Sequence, residues 1–174
     1  MSCEALQTIT KSCDNNSGGI KTVWICQQDN VGTLVLTGNW EITTLPLTDP
    51  TNVYAINRNT GSFTEEVAVD LINGSTFVTQ TITLMFSRRD KEKSEAINVL
   101  GSGQQFLAVF IQDANDKYWY FEDVQLSAVG EGSGTARADG SKYSVTLIAE
   151  ASHLAWEIDP DLVVAPDFPL PTQS

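Results

Sequence analysis

Long runs of alternating apolar and polar side chains constrain this chain most. A period of two places every other residue on one face, which suits a half-buried strand and not a helix. In Thr76-Phe-Val-Thr-Gln-Thr-Ile-Thr-Leu-Met-Phe86, one face carries Val78, Ile82, Leu84 and Phe86, and the other carries Thr79, Thr81 and Thr83. Lys142 to Glu150 repeats the pattern with Tyr143, Val145, Leu147 and Ala149 on one face. Phe106-Leu-Ala-Val-Phe-Ile-Gln112 is apolar on both faces, as a central strand covered from both sides requires. The turn-rich tetrad Asp113-Ala-Asn-Asp116 then leads into Lys117-Tyr-Trp-Tyr-Phe121, so residues 106–121 read as a hairpin. Weaker strand patterns cover 21–28, 33–37, 52–57, 64–71 and 124–128.

One helix interrupts this series. Ser87-Arg-Arg-Asp90 has the form of a capping box, Ala96, Ile97 and Leu100 share a helical face, and Gly101 is a natural C-cap. The expectation is a helix of about ten residues between a long strand and the core hairpin, its charged run forming a solvated face or, through its basic members, meeting an acidic neighbour. At 174 residues the chain is long enough for one domain with a substantial core. That domain is expected over residues 1–159. Asp14-Asn-Asn-Ser-Gly-Gly19 reads as a flexible loop. Four prolines between 160 and 171 forbid a helix or a central strand, so residues 160–174 read as an extended tail, either disordered or laid along a neighbour. Leu162, Val163, Val164, Phe168 and Leu170 give it apolar surface to bury.

Charge narrows the function classes. The formal net charge is −12, and four of the ten basic residues, Arg88, Arg89, Lys91 and Lys93, fall within one short run. A surface otherwise dominated by carboxylates repels phosphate backbones, which argues against nonspecific DNA binding and favours solubility and basic partners. No apolar run approaches the length of a membrane span and no secretory leader is read at Met1, so the expectation is synthesis in a cytoplasm with no membrane partner. Cys3, Cys13 and Cys26 lack metal-site spacing and lie far in sequence from the single His153, so they read as reduced thiols.

Chemical motifs are sparse. Gly130-Glu-Gly-Ser-Gly134 has neither phosphate-loop spacing nor a following helix, and Asp139-Gly140 is a hairpin dipeptide, so the segment reads as a connector. Ser152 and His153 are neighbours whose side chains point apart on a strand, and His153 reads as a surface or rim residue. Glu65-Glu66 and Glu122-Asp123 are adjacent carboxylates that also diverge on a strand. Asp113-x-Asn115 resembles the start of a calcium loop, but the loop's glycine and closing glutamate are missing. Tyr118, Trp119, Tyr120 and Phe121 read as a core or interface strand. No catalytic, cofactor-binding or metal-binding residue is assigned, and an enzyme is not expected.

Asp113-Ala-Asn-Asp-Lys-Tyr-Trp-Tyr120, the Gly-rich segment through Ser-Gly-Thr-Ala136 and Asp139-Gly-Ser-Lys-Tyr-Ser-Val-Thr-Leu-Ile-Ala-Glu-Ala151 together resemble a small virion protein of tailed bacteriophages. The pattern is similar to tail-tube-like and neck-ring proteins of phages infecting Bacteroidota, including the crAss-like group, where a displayed aromatic hairpin precedes a Gly/Asp-rich turn and a final Thr/Leu strand. It covers roughly residues 104–158. The resemblance implies a mainly β fold, an antiparallel β-sandwich or half-barrel with one short flanking α-helix. It also implies a homo-oligomeric ring in the neck or tail of the virion, with neighbouring ring, portal or tail proteins as partners and genomic DNA passing through without specific binding. An acidic lumen would keep that DNA from sticking, and sheet edges and extended termini would join copies by strand addition. The competing expectation is a β-sandwich module that binds carbohydrate or a receptor from a fibre or capsid exterior. Trp119 and Tyr120 standing in solvent would mark it.

Overall fold

The computed structural model describes residues 5–38 and 40–172. Ten strands and one α-helix follow in chain order: β1 (Ile20–Gln27), β2 (Val35–Leu36), β3 (Glu41–Thr44), β4 (Asn52–Tyr54), β5 (Gly61–Asp70), β6 (Ser75–Ser87), α1 (Lys91–Leu100), β7 (Leu107–Asp113), β8 (Tyr118–Gly130), β9 (Lys142–Ala151) and β10 (Trp156–Ile158). Strands β4, β1, β7, β8, β9, β6 and β5 pair in that order and curl into a half-barrel, while β10, β3 and β2 branch from the first half of β8. The expected mainly β half-barrel with one short helix is what forms. It differs from the expectation in one pair: β3 and β10 run parallel, so the sheet is mixed. These two strands come from distant parts of the sequence, and no hairpin dictates their relative direction.

Strand β8 serves both walls. Its first half pairs with β7 and β10, and its second half pairs with β9. Val124 lies opposite Leu107 while Phe121 lies opposite Val109, so β8 carries an extra residue there, and Asp123 adopts φ 50°. A bulge of this kind bends a strand and increases its twist, which lets one strand turn the corner of the half-barrel. The sequence reading split this strand into 117–121 and 124–128 because the bulge puts Glu122-Asp123 where alternation fails.

Alternation then sorts residues into two cores. Leu107, Val109 and Ile111 of β7 point into the half-barrel with Val23 and Ile25 of β1, Phe121 and Val124 of β8, Ile82 and Leu84 of β6, and Val145 and Leu147 of β9. Ala108 and Phe110 point the other way and join Trp24, Cys26, Ile42, Tyr120, Ile158 and Phe168 in a second core. The central strand is covered on both faces, as expected. Partly buried residues of the loops between 31 and 53 and of the tail roof the second core. Removing each large apolar side chain from water contributes roughly 1.5–3 kcal/mol, so both layers add stability.

Helix α1 caps one end of the half-barrel through Ile97 and Leu100. Its N-cap is Asp90, whose carboxylate accepts from the Lys93 N–H at 2.8 Å. Ser87, expected to open the capping box, is instead the last residue of β6, where its hydroxyl accepts from Asn57. Gly101 stands at the C-cap, but its backbone is right-handed. The Leu126 methyl 2.8 Å from where a Cβ would sit explains the glycine.

Candidate assembly surface

The β5–β6 hairpin outruns the rest of its sheet. Ala151, the last residue of β9, pairs with Val78, so residues 68–77 form a two-stranded arm with no third strand beneath. The turn at its tip is built tightly. The Asp70 carboxylate accepts from the N–H groups of Ile72 and Asn73 and from the Asn73 side-chain amide, and Gly74 closes the turn in the left-handed region at φ 67°. These hydrogen bonds hold Asp70 below the usual carboxylate range.

The ordered tip presents apolar groups to water. Leu71 is 90% and Ile72 95% exposed, and Val67, Val69 and Phe77 are about half exposed on the two faces of the arm. A two-stranded ribbon is marginal alone, and clustered exposed apolar surface marks interaction sites. The outer edge of β5 is unpaired. Its middle is protected: Glu65 turns inward, accepting from Gln80 Nε2 at 2.8 Å and from the Ala155 N–H at 2.6 Å, while Glu66 is exposed. Charged residues in an edge strand discourage further strand pairing. The arm tip is therefore the better docking element. Leu6 and Ile9 are also fully exposed, in an N-terminal segment without secondary structure.

The tail does not project. Phe168 is 3% exposed and packs edge-on against both Trp24 and Phe110, with ring centroids 5.6 and 5.1 Å away. Trp24 Nε1 donates to the Pro169 carbonyl at 2.8 Å, and Thr51 donates its N–H and hydroxyl to the Asp167 carbonyl. A boundary at 159 thus falls within the chain's own second core. The expectation that proline forbids any helix here does not hold, because Pro160–Leu162 form one 3-10 turn capped by Asp159, where proline's missing N–H costs nothing, and the aromatic residue beyond it finds a buried seat.

The Gly-rich segment is a connector with its anion-binding geometry already filled. The N–H groups of Thr135 and Ala136 both donate to the Asp139 carboxylate, at 2.9 and 2.8 Å, where a phosphate would otherwise sit. At Gly134, φ is 72° and a Cβ would lie 2.8 Å from the Gly140 carbonyl oxygen, so only glycine fits. Asp113 is likewise engaged in its own turn: one oxygen accepts from the N–H groups of Asn115 and Lys117, the other from Trp119 Nε1. Asn115 ties that turn to residues 16 and 17, so the expected flexible loop at 14–19 is anchored at its end.

His153 is half-buried. Its ring stacks on Trp156 at 3.9 Å, with Nε2 3.0 Å from the Glu122 carboxylate and Nδ1 2.7 Å from the Leu154 carbonyl. Both nitrogens are occupied, neither by Ser152. Glu65 and Glu66 diverge as expected, and so do Glu122 and the exposed Asp123. The aromatic hairpin is not displayed: Tyr118 and Tyr120 enter the second core, and Trp119 and Phe121 enter the first. Burial raises the Tyr120 phenol well above its ordinary value, only partly offset by a hydrogen bond from Gln28. Cys26 is buried and its thiol is also pushed up, Cys13 is exposed, and Cys3 lies outside the described residues. Among the described residues, no helix is long and apolar enough to cross a membrane.

Alternation marks both strands of the arm, but it does not encode how far they extend beyond β9. The signal was there in Val69-Asp-Leu-Ile-Asn-Gly74, where Leu71 and Ile72 occupy a turn that usually carries polar residues. Comparison with protein-family models, curated proteins and solved structures found no match.

Proposed function

We propose that the chain is a noncatalytic virion structural subunit of a tailed bacteriophage, assembling as a homo-oligomeric ring in the neck or tail around the DNA channel. The observation that carries this reading is the β5–β6 arm, an apolar tip held away from the subunit's own core. An arm of one copy seated on a different surface of the next makes a heterologous contact, and repeating such a contact closes a ring when the rotation permits. The sugar-binding alternative loses its platform, since Tyr120 is buried and Trp119 is tied to Asp113.

Acidity fits the same role. With a net charge of −12, a ring lined by such a surface repels the duplex and lets it slide. Neighbouring ring, portal or tail proteins would meet its two faces. Negative-stain electron microscopy of the purified chain at high concentration tests the proposal. We expect class averages with rotational symmetry and a central hole. A chain that stays monomeric throughout, or a ring whose lumen is basic, would overturn the ring or the sliding role respectively.

A further inference from the structure

At the other end of β6 from the arm tip lies an apolar cleft between β4 and α1. It holds about 350 Å³ between Val53, Tyr54, Phe86, Ala96 and Ile97, with Asn52, Glu92 and Lys93 as its polar lining. Strand β4 pairs with β1 on one side only, so its outer backbone edge faces the cleft region unpaired. We propose that this cleft receives the β5–β6 arm of a second copy of the chain. The inference rests on the ring reading and names its contact.

Three observations choose this occupant. The first is reach. The 13 residues of β6 span roughly 40 Å at about 3.3 Å per residue, and Phe86 at one end lines the cleft while Ser75 at the other begins the arm. A subunit cannot seat its own arm, so the partner is another molecule. The second is charge. Between Asn59 and Ser87 the chain has no lysine or arginine but carries Glu65, Glu66 and Asp70, whereas Arg88, Arg89, Lys91 and Lys93 outnumber Asp90, Glu92 and Glu95 around the start of α1.

Lys93 is already committed to Asp90, and Arg89 lies over the Tyr143 ring, but Arg88 and Lys91 are exposed without an ion pair among the described residues. The exposed Arg88 and Lys91 thus offer counter-charges to an acidic arm. Such complementarity steers encounter and fixes register. The third is chemistry. Leu71 and Ile72 are aliphatic side chains on a turn, and a small apolar recess takes anchors of this kind. Because donor and acceptor lie at opposite ends of one strand, the contact extends head-to-tail through successive copies; reciprocal exchange within an antiparallel pair would instead stop at a dimer, and the size of the wild-type assembly separates the two.

Complementation between two variants tests this. Leu71→Asp with Ile72→Asp removes the arm's anchors at a solvent-exposed turn and keeps the cleft. Ala96→Trp fills the cleft and keeps the arm. Should it fail to fold, Arg88→Glu with Lys91→Glu serves in its place. We expect each variant alone to self-associate roughly tenfold more weakly than the wild type, or less, by analytical ultracentrifugation. An equimolar mixture should give heterodimers and no larger species, because only one intact arm meets one intact cleft. Wild-type assembly that survives in the arm variant would overturn the arm-in-cleft contact and leave the ring reading standing. Mixed variants that fail to pair while the wild type assembles would do the same. A wild type that never associates would overturn both.

Discussion

The two cores of this subunit use the same strands and are closed in opposite ways. Inside the half-barrel, β1, β6, β7, β8 and β9 supply long alternating faces, and neighbouring strands seal one another through continuous ladders. On the other face, Trp24, Phe110 and Tyr120 are covered by strands of two to four residues, by loops and by the proline-rich tail. The first layer owes its closure to sheet hydrogen bonds. The second depends on scattered contacts such as Trp24 to Pro169 and Thr51 to Asp167. Layers held by scattered contacts open first, because local stability follows how many cooperative bonds must break together.

The sharpest way to separate the layers is to remove the wedge of the second. Phe168→Ala should cost about 3–5 kcal/mol, the usual range for deleting a buried phenylalanine side chain. We expect the buried Cys26 thiol to react with a disulfide reagent well before global unfolding, while amides of β6 and β9 keep their hydrogen-exchange protection. Cys26 reactivity that appears only with global unfolding would show the two cores to be one cooperative unit.

A smaller effect belongs to the first core. Gln80 is buried, its amide nitrogen donates to Glu65, and its own carbonyl oxygen has no partner. Glu65→Ala also strips the acceptor from the Ala155 N–H. The loss should be about 1–3 kcal/mol, measured by urea unfolding, with Cys26 reactivity below the transition unchanged.

The mildest test leaves both cores intact. Asp70, Asp90 and Asp139 accept N–H bonds at turns and a helix cap, and Asp116 pairs with Lys21; all four are held below the ordinary value of 3.8. Because folding lowers these values, their contribution is fully present above the ordinary value and is lost as pH falls through the folded ones. We expect the amide resonances of Ile72, Thr135 and Ala136 to titrate with midpoints below 3.8 while the strand amides barely move. Midpoints at or above 3.8 would show that the turns do not need these carboxylates.

The same division explains what could be read from the sequence. The first core was legible because Val78, Ile82, Leu84, Tyr143, Val145 and Leu147 keep a period of two long enough to stand out. The elements that cover the second core were not. Glu41-Ile-Thr-Thr44 and Trp156-Glu-Ile158 are too short to show alternation, and they become strands only because β8 offers an edge to β10 and β10 offers one to β3. Phe168 gave an apolar signal but no address, since proline fixes backbone angles without saying which surface the segment will meet. At the candidate site, the basic run at 88–93 was read as a solvated helix face. Its neighbourhood to a cleft depends on β4 and the end of β6 meeting α1, which no local pattern encodes.

The parallel pairing of β3 with β10 also sets an order of events during synthesis. Strands β1 and β4 through β9 lie within residues 20–151, so the walls of the half-barrel can pair before the chain is finished. β3 must wait for β10, and Trp24 and Phe110 must wait for Phe168. A nascent chain emerges N-terminus first at about 5–20 residues per second, so for a short interval it carries a finished barrel with an open aromatic flank. Residues 156–168 thus close a flank that the strands made before them leave open.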